Sequence, residues 1–187
     1  MKSHTVKASV LAIATSLALA ACGGTQEPAD EATPAAEQTA PAKTATAELK
    51  DTEGKVIGTA TVSGEDGALK VEVSVNGLPA GTHGAHIHTT GDCSAPDFKS
   101  AGGHWNPDNT HHGIESDSPN PHAGDIGNIE VDENGVGTLS GVSAGTWAGL
   151  FDEDGSAFVI HADADDMKSQ PSGNAGARVA CGVFTMG

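Results

Sequence analysis

A chain of 187 residues with 9 basic and 25 acidic side chains carries a formal charge of −16, and only 3% of its residues are aromatic. That balance excludes nucleic acid and anionic lipid headgroups as partners for its surface, since both repel an acidic protein. With 25 glycines the sequence is turn-rich, and no stretch holds a helical period over ten residues.

The chain opens with Lys2 and Lys7 ahead of the apolar run "VLAIATSLALA", which ends in small residues before Cys22. A short apolar run with a basic flank reads as a secretory signal peptide over residues 1–21, not a membrane span. The stretch "LAAC" at 19–22 resembles the lipobox of bacterial lipoproteins. The resemblance implies cleavage before Cys22 and acylation of that residue, giving a membrane anchor. An ordinary signal peptide cut near Ala20, with Cys22 a free thiol, is the alternative. Gly23 is unlike the aspartate of inner-membrane retention signals, so the expected location is the periplasm, on the outer membrane of a Gram-negative envelope. Loss of residues 1–21 removes two lysines and no acid, leaving the mature chain at −18. Residues 22–43 then hold no aliphatic side chain larger than alanine. Such a segment cannot bury enough apolar surface to offset its ordering entropy, and it reads as a disordered tether. Residues 44–187 have the size of one domain.

Along that domain the elements are β-like. "KVIGTATV" (55–62) is followed by "ALKVEVSVNG" (68–77), where Leu69, Val71, Val73 and Val75 alternate with Lys70, Glu72 and Ser74. "GTHGAHIH" (81–88) comes next. In a strand its His86 and His88 share one face with Ile87 on the other, which makes either half of a metal site or two exposed imidazoles. "GNIEVDENGVGTLSGV" (127–142) and "DEDGSAFVIHA" (152–162) are built around "ENG" and "EDG" turn signals, and "ARVACGVFT" (177–185) is the last strand. About eight short strands predict an all-β fold, a sandwich or Greek-key barrel. The stretches 89–125 and 162–177 are too rich in Gly, Pro, Asn and Asp for strands and too long for hairpins. Long ordered loops on a small β-domain usually carry function.

Eight histidines lie beyond the signal peptide. Seven fall in 83–122, and the eighth, His161, ends a strand just before the second loop. If Cys22 is lipidated, Cys93 and Cys181 remain, and an oxidising compartment favours their pairing over two free thiols.

The motifs "HGAHIH", "GDC", "AGGHWNP", "HHG", "PHAGDIGN", "VIHADADD" and "GNAGARVACGV" resemble, in this order, those of copper–zinc superoxide dismutases, from about residue 45 to the C-terminus. The resemblance implies an eight-stranded Greek-key β-barrel with two long functional loops, and one copper and one zinc per chain. It implies dismutation of superoxide to dioxygen and hydrogen peroxide by redox cycling of copper. His86, His88 and His161 match the copper ligands, and His104 matches the histidine that bridges copper and zinc and carries a proton. His112, His122 and Asp125 match the remaining zinc ligands, His112 being preferred to His111 for its spacing from His104 and for Gly113 behind it. Asp165 matches the aspartate that bonds ligands of both metals, His83 a histidine that bonds backbone, and Arg178 the arginine that binds superoxide. Cys93 and Cys181 match the family's disulfide.

The residue types suit these roles. Four imidazoles make a nitrogen field for copper, and three imidazoles with one carboxylate make a closed tetrahedral set for structural zinc. A copper-buffering lipoprotein on the same fold is the rival, and monomer and homodimer both remain open. The chain departs from the family at Ala85, where a bulkier aromatic is common, and in a short second loop whose only base is Lys168, a candidate rim charge for the substrate channel.

Overall fold

The computed structural model describes residues 43–115 and 120–187. The expected signal peptide, the expected lipidation site Cys22 and the expected tether up to residue 42 lie outside the described residues.

Strand formation follows the alternation of apolar and polar residues. In β3 (Ala68–Asn76) Leu69, Val71, Val73 and Val75 are buried and their neighbours exposed. β2 (Val56–Glu65) pairs with it antiparallel along most of its length, and β1 (Thr44–Asp51) pairs with β2 on the other side. β1 buries Ala45, Ala47 and Leu49. Its inward face is mostly alanine, so no apolar run announces it in the sequence.

β4 (Gly81–His88), β5 (Asp125–Val131), β6 (Val136–Ser143), β7 (Ala157–His161) and β8 (Arg178–Val183) complete the barrel, with a two-residue β9 (Thr185–Met186) against β1. The spatial order β2-β3-β6-β5-β4-β7-β8-β1 closes through the β1–β2 pairing into an eight-stranded antiparallel barrel. The β3–β4 and β6–β7 connections step over neighbouring strands, which is the Greek-key pattern. The expected barrel is therefore the fold observed.

The "ENG" signal makes the β5–β6 hairpin. Asp132 accepts the backbone N–H groups of Asn134 and Val136, and Gly135 takes φ +80°, a conformation that glycine adopts at little cost. The "EDG" signal does not join two strands. It follows a four-residue helix, α1 (Trp147–Leu150), whose Trp147 donates from Nε1 to Gly64 O at 2.9 Å and closes one end of the barrel.

Ile87 is fully buried in the core with Ala85, so the small residue at 85 sits among core side chains. His86 and His88 point away from that core. They are nevertheless 0% and 1% exposed, because the segments before β5 and after β7 cover the outer face of β4. Cys93 and Cys181 form the expected disulfide, 88 residues apart with Cα atoms 5.8 Å apart. Closing a span of that length removes denatured-state freedom of about 4–5 kcal/mol in the chain-entropy model.

Candidate metal centre

Strand register brings the histidines together. His86 and His88 lie on β4, with His86 opposite Val159 of β7. β7 ends at His161, which is paired with Arg178, the first residue of β8. An isolated bridge pairs His88 with His104, drawing the long loop back to the sheet. Asp125 opens β5 beside His86. The ladder thus fixes six of these side chains before any loop geometry is considered.

His86, His88, His104 and His161 each offer one ring nitrogen within 4.8 Å of the others. Three of them commit the remaining nitrogen elsewhere. His86 Nε2 bonds Asp165 Oδ2 at 2.7 Å, His88 Nδ1 bonds Gly102 O at 3.0 Å, and His161 Nδ1 lies 3.4 Å from Gly176 O. A carboxylate or carbonyl at one nitrogen holds the N–H there and leaves a lone pair on the other. Three consequences point to a cation. His88 Nε2 and His161 Nε2 face each other at 3.3 Å with both lone pairs inward. His86 Nδ1 and His104 Nε2 are buried without a hydrogen-bond partner. Burial also lowers the pKa of His86 to about 4 and that of His161 to about 3, and holds that of His88 well below the usual range, so these three rings are neutral as ligation requires.

The second cluster is His104, His112, His122 and Asp125. Three imidazole nitrogens converge on one oxygen, Asp125 Oδ1: His104 Nδ1 and His112 Nδ1 at 2.9 Å and His122 Nδ1 at 3.3 Å. His122 Nδ1 makes no hydrogen bond despite that distance. Asp125 Oδ2 accepts the backbone N–H groups of Gly113 and His122, which aims Oδ1 at the rings. Burial works against the Asp125 carboxylate, but bonds from His104, His112 and Gly113 outweigh it and hold its pKa far below the usual range. His112 is the mirror case: burial opposes its charge, while Asp125 and Asp165 push its pKa up to about 9. A donor set of three nitrogens and one oxygen with no open position fits structural zinc. The exposed His111 belongs to neither cluster.

Asp165 ties the clusters together. Its Oδ2 meets His86 and its Oδ1 accepts His112 Nε2 at 3.0 Å. Gly173, at φ +64°, leaves the space for this contact, since a Cβ there would overlap Asp165 Oδ1 and His112 Nε2. Asn128 brackets the Asp165 backbone, donating to its O and accepting from its N. His83 meets backbone at both nitrogens, His161 O at 2.8 Å and Pro79 O at 2.9 Å, and is in neither cluster.

A cleft of about 530 Å³ opens over His88, His104 and His161, with Arg178 on its wall. Arg178 donates from Nη1 to Phe98 O at 2.6 Å and from Nη2 to Gly102 O at 2.5 Å. The expected rim charge is displaced. Lys99, not Lys168, lines the cleft, and it is paired with Asp97 at 2.8 Å. Lys99 sits in a long loop whose path no periodicity reveals, so sequence pattern does not single it out.

The sequence matches the family model for copper/zinc superoxide dismutase over residues 54–184. The chain belongs to that family. It is 43% identical over 145 residues to a copper–zinc superoxide dismutase of Aquifex aeolicus, covering 74% of this chain and 84% of the relative. It is 43% identical over 148 residues to that of Caulobacter vibrioides, covering 75% and 84%. The solved Cu/Zn superoxide dismutase of Brucella abortus superposes with a TM-score of 0.60 at 28% identity, covering 75% of this chain and 98% of that one. The histidine clusters fit the copper and zinc that this family binds, and the disulfide fits an exported dismutase.

Proposed function

We propose that this chain converts two superoxide anions and two protons to dioxygen and hydrogen peroxide, holding copper with His86, His88, His104 and His161 and zinc with His104, His112, His122 and Asp125. The observation that carries the reading is His104. One of its nitrogens is buried and unpartnered in the four-imidazole cluster, while the other lies 2.9 Å from Asp125 in the second cluster. Copper supplies a one-electron couple that a nitrogen field tunes, and zinc a fixed positive charge.

The chain's own residues do the rest. Arg178 presents a guanidinium to the cleft and attracts the anion. His104 Nε2 takes up a proton and returns it to the reduced oxygen. Asp165 holds the rings of His86 and His112 in one orientation. A copper buffer has no use for an arginine anchored on two carbonyls beside the cluster, which favours catalysis over storage. Replacing His104 by Ala tests the bridge. Copper and zinc should then each bind more weakly, by at least the roughly 10–100-fold that loss of an outer partner costs, and a variant that retained both metals and full activity would refute the assignment.

The signal peptide and Cys22 support the further reading that the protein is exported and lipid-anchored at the outer membrane. Cys22→Ala should move the protein from the detergent phase to the aqueous phase. A wild type already aqueous would sink the anchor.

A further inference from the structure

We propose that Gln170 is a positioning residue for zinc, clasping the backbone of His112 from the opposite loop; this rests on His112 being a zinc ligand. Gln170 Oε1 accepts the His112 N–H at 2.8 Å, and Gln170 Nε2 donates to His112 O at 3.0 Å. The second amide hydrogen goes to Lys168 O at 3.0 Å. The side chain therefore spends both donors and one acceptor on two backbone segments far apart in sequence.

What makes this more than a surface contact is its target. Both main-chain polar groups of His112 are taken by one planar amide, so the residue is fixed in position and in rotation about the chain. Its ring nitrogens then fall on Asp125 and Asp165 together, at 2.9 and 3.0 Å. A ligand held at two ring atoms and two backbone atoms loses little further freedom when the metal arrives, which raises affinity by preorganisation. The amide is specific in kind. A carboxylate of the same shape keeps the acceptor and sets an anion against two carbonyl oxygens, and a thioether of the same length keeps neither.

The test compares zinc and copper affinities of Gln170→Met, Gln170→Glu and His112→Ala in the full chain by competition with chromophoric chelators. The visible spectrum of each protein with cobalt in the zinc position is recorded alongside. Gln170→Met should weaken zinc about 10-fold, Gln170→Glu no less, and both should shift the cobalt bands while copper affinity stays within about twofold. Zinc affinity and cobalt spectrum unchanged in a folded Gln170 variant would overturn the proposal, as would equal losses of zinc and copper. If Gln170→Met does not fold, Gln170→Glu decides the question through the same two readouts. If His112→Ala left zinc affinity unchanged, the assignment of His112 would fail instead, which separates the two readings.

Discussion

Three imidazole nitrogens crowd within 3.3 Å of Asp125 Oδ1, and one of them, His122 Nδ1, makes no hydrogen bond. At the scale of single residues, the centre is legible through such misfits, a crowded oxygen and buried nitrogens with nothing to bond. Gly173 is the least obvious member. Gly173→Ala would drive a methyl group between Asp165 and His112 and strain a backbone at φ +64°. Zinc affinity should fall while the disulfide still forms; calorimetric zinc titration checks it, and unaltered zinc binding would mean that the Asp165–His112 contact does not matter. Arg178 is tested by charge. Arg178→Ala should cut the dismutation rate several-fold with both metals retained, and Arg178→Glu should cut it further. A full rate in Arg178→Ala would remove the residue from the site.

At the scale of elements, β8 carries both Arg178 and Cys181, and the disulfide joins it to the segment that supplies Phe98 O and Gly102 O. Reduction should free that segment, lower the thermal midpoint and blunt activity without stripping metal first. Thiol labelling of native protein, with metal content measured alongside, checks this; two reactive thiols in untreated exported protein would contradict it. The strands that hold the centre are readable from alternation and turn signals. The roles of the histidines in "HIH" and "VIH" and of the arginine in "GARVAC" come instead from the ordered resemblance to copper–zinc superoxide dismutases, since alternation alone allows two exposed imidazoles as well. β1 does not stand out in the same way, since alanines at 45 and 47 give a weak apolar signal. Lys99 and Gln170 are unreadable for another reason. Their roles depend on where two irregular loops meet, and no local pattern encodes a contact between Gln170 and His112 across 58 positions.

For the whole molecule, protons and charge set the behaviour. In metal-free protein, His86, His88 and His161 have pKa values below 6.5, so the unfolded chain binds more protons and stability is lost as pH falls from 6.5 toward 4. His112 runs the other way. Raised to about 9, it stabilises fully below pH 6.5, and that contribution is lost as pH rises through 9. Metal-free protein should therefore be most stable near pH 6.5, and His112→Gln should abolish the alkaline decline; thermal melts across roughly pH 4–10 check both. A formal charge of −16 repels superoxide at long range, yet screening over about 8 Å at physiological salt weakens that distant repulsion while the nearby attraction of Arg178 persists. Added salt should slow the enzyme only weakly, and a steep fall would mean an attractive field beyond Arg178. The most direct measurement determines copper, zinc and dismutase activity on one sample of purified mature protein. One copper and one zinc per chain with rapid dismutation is the predicted result, and a folded chain holding both metals that does not dismutate superoxide would contradict it.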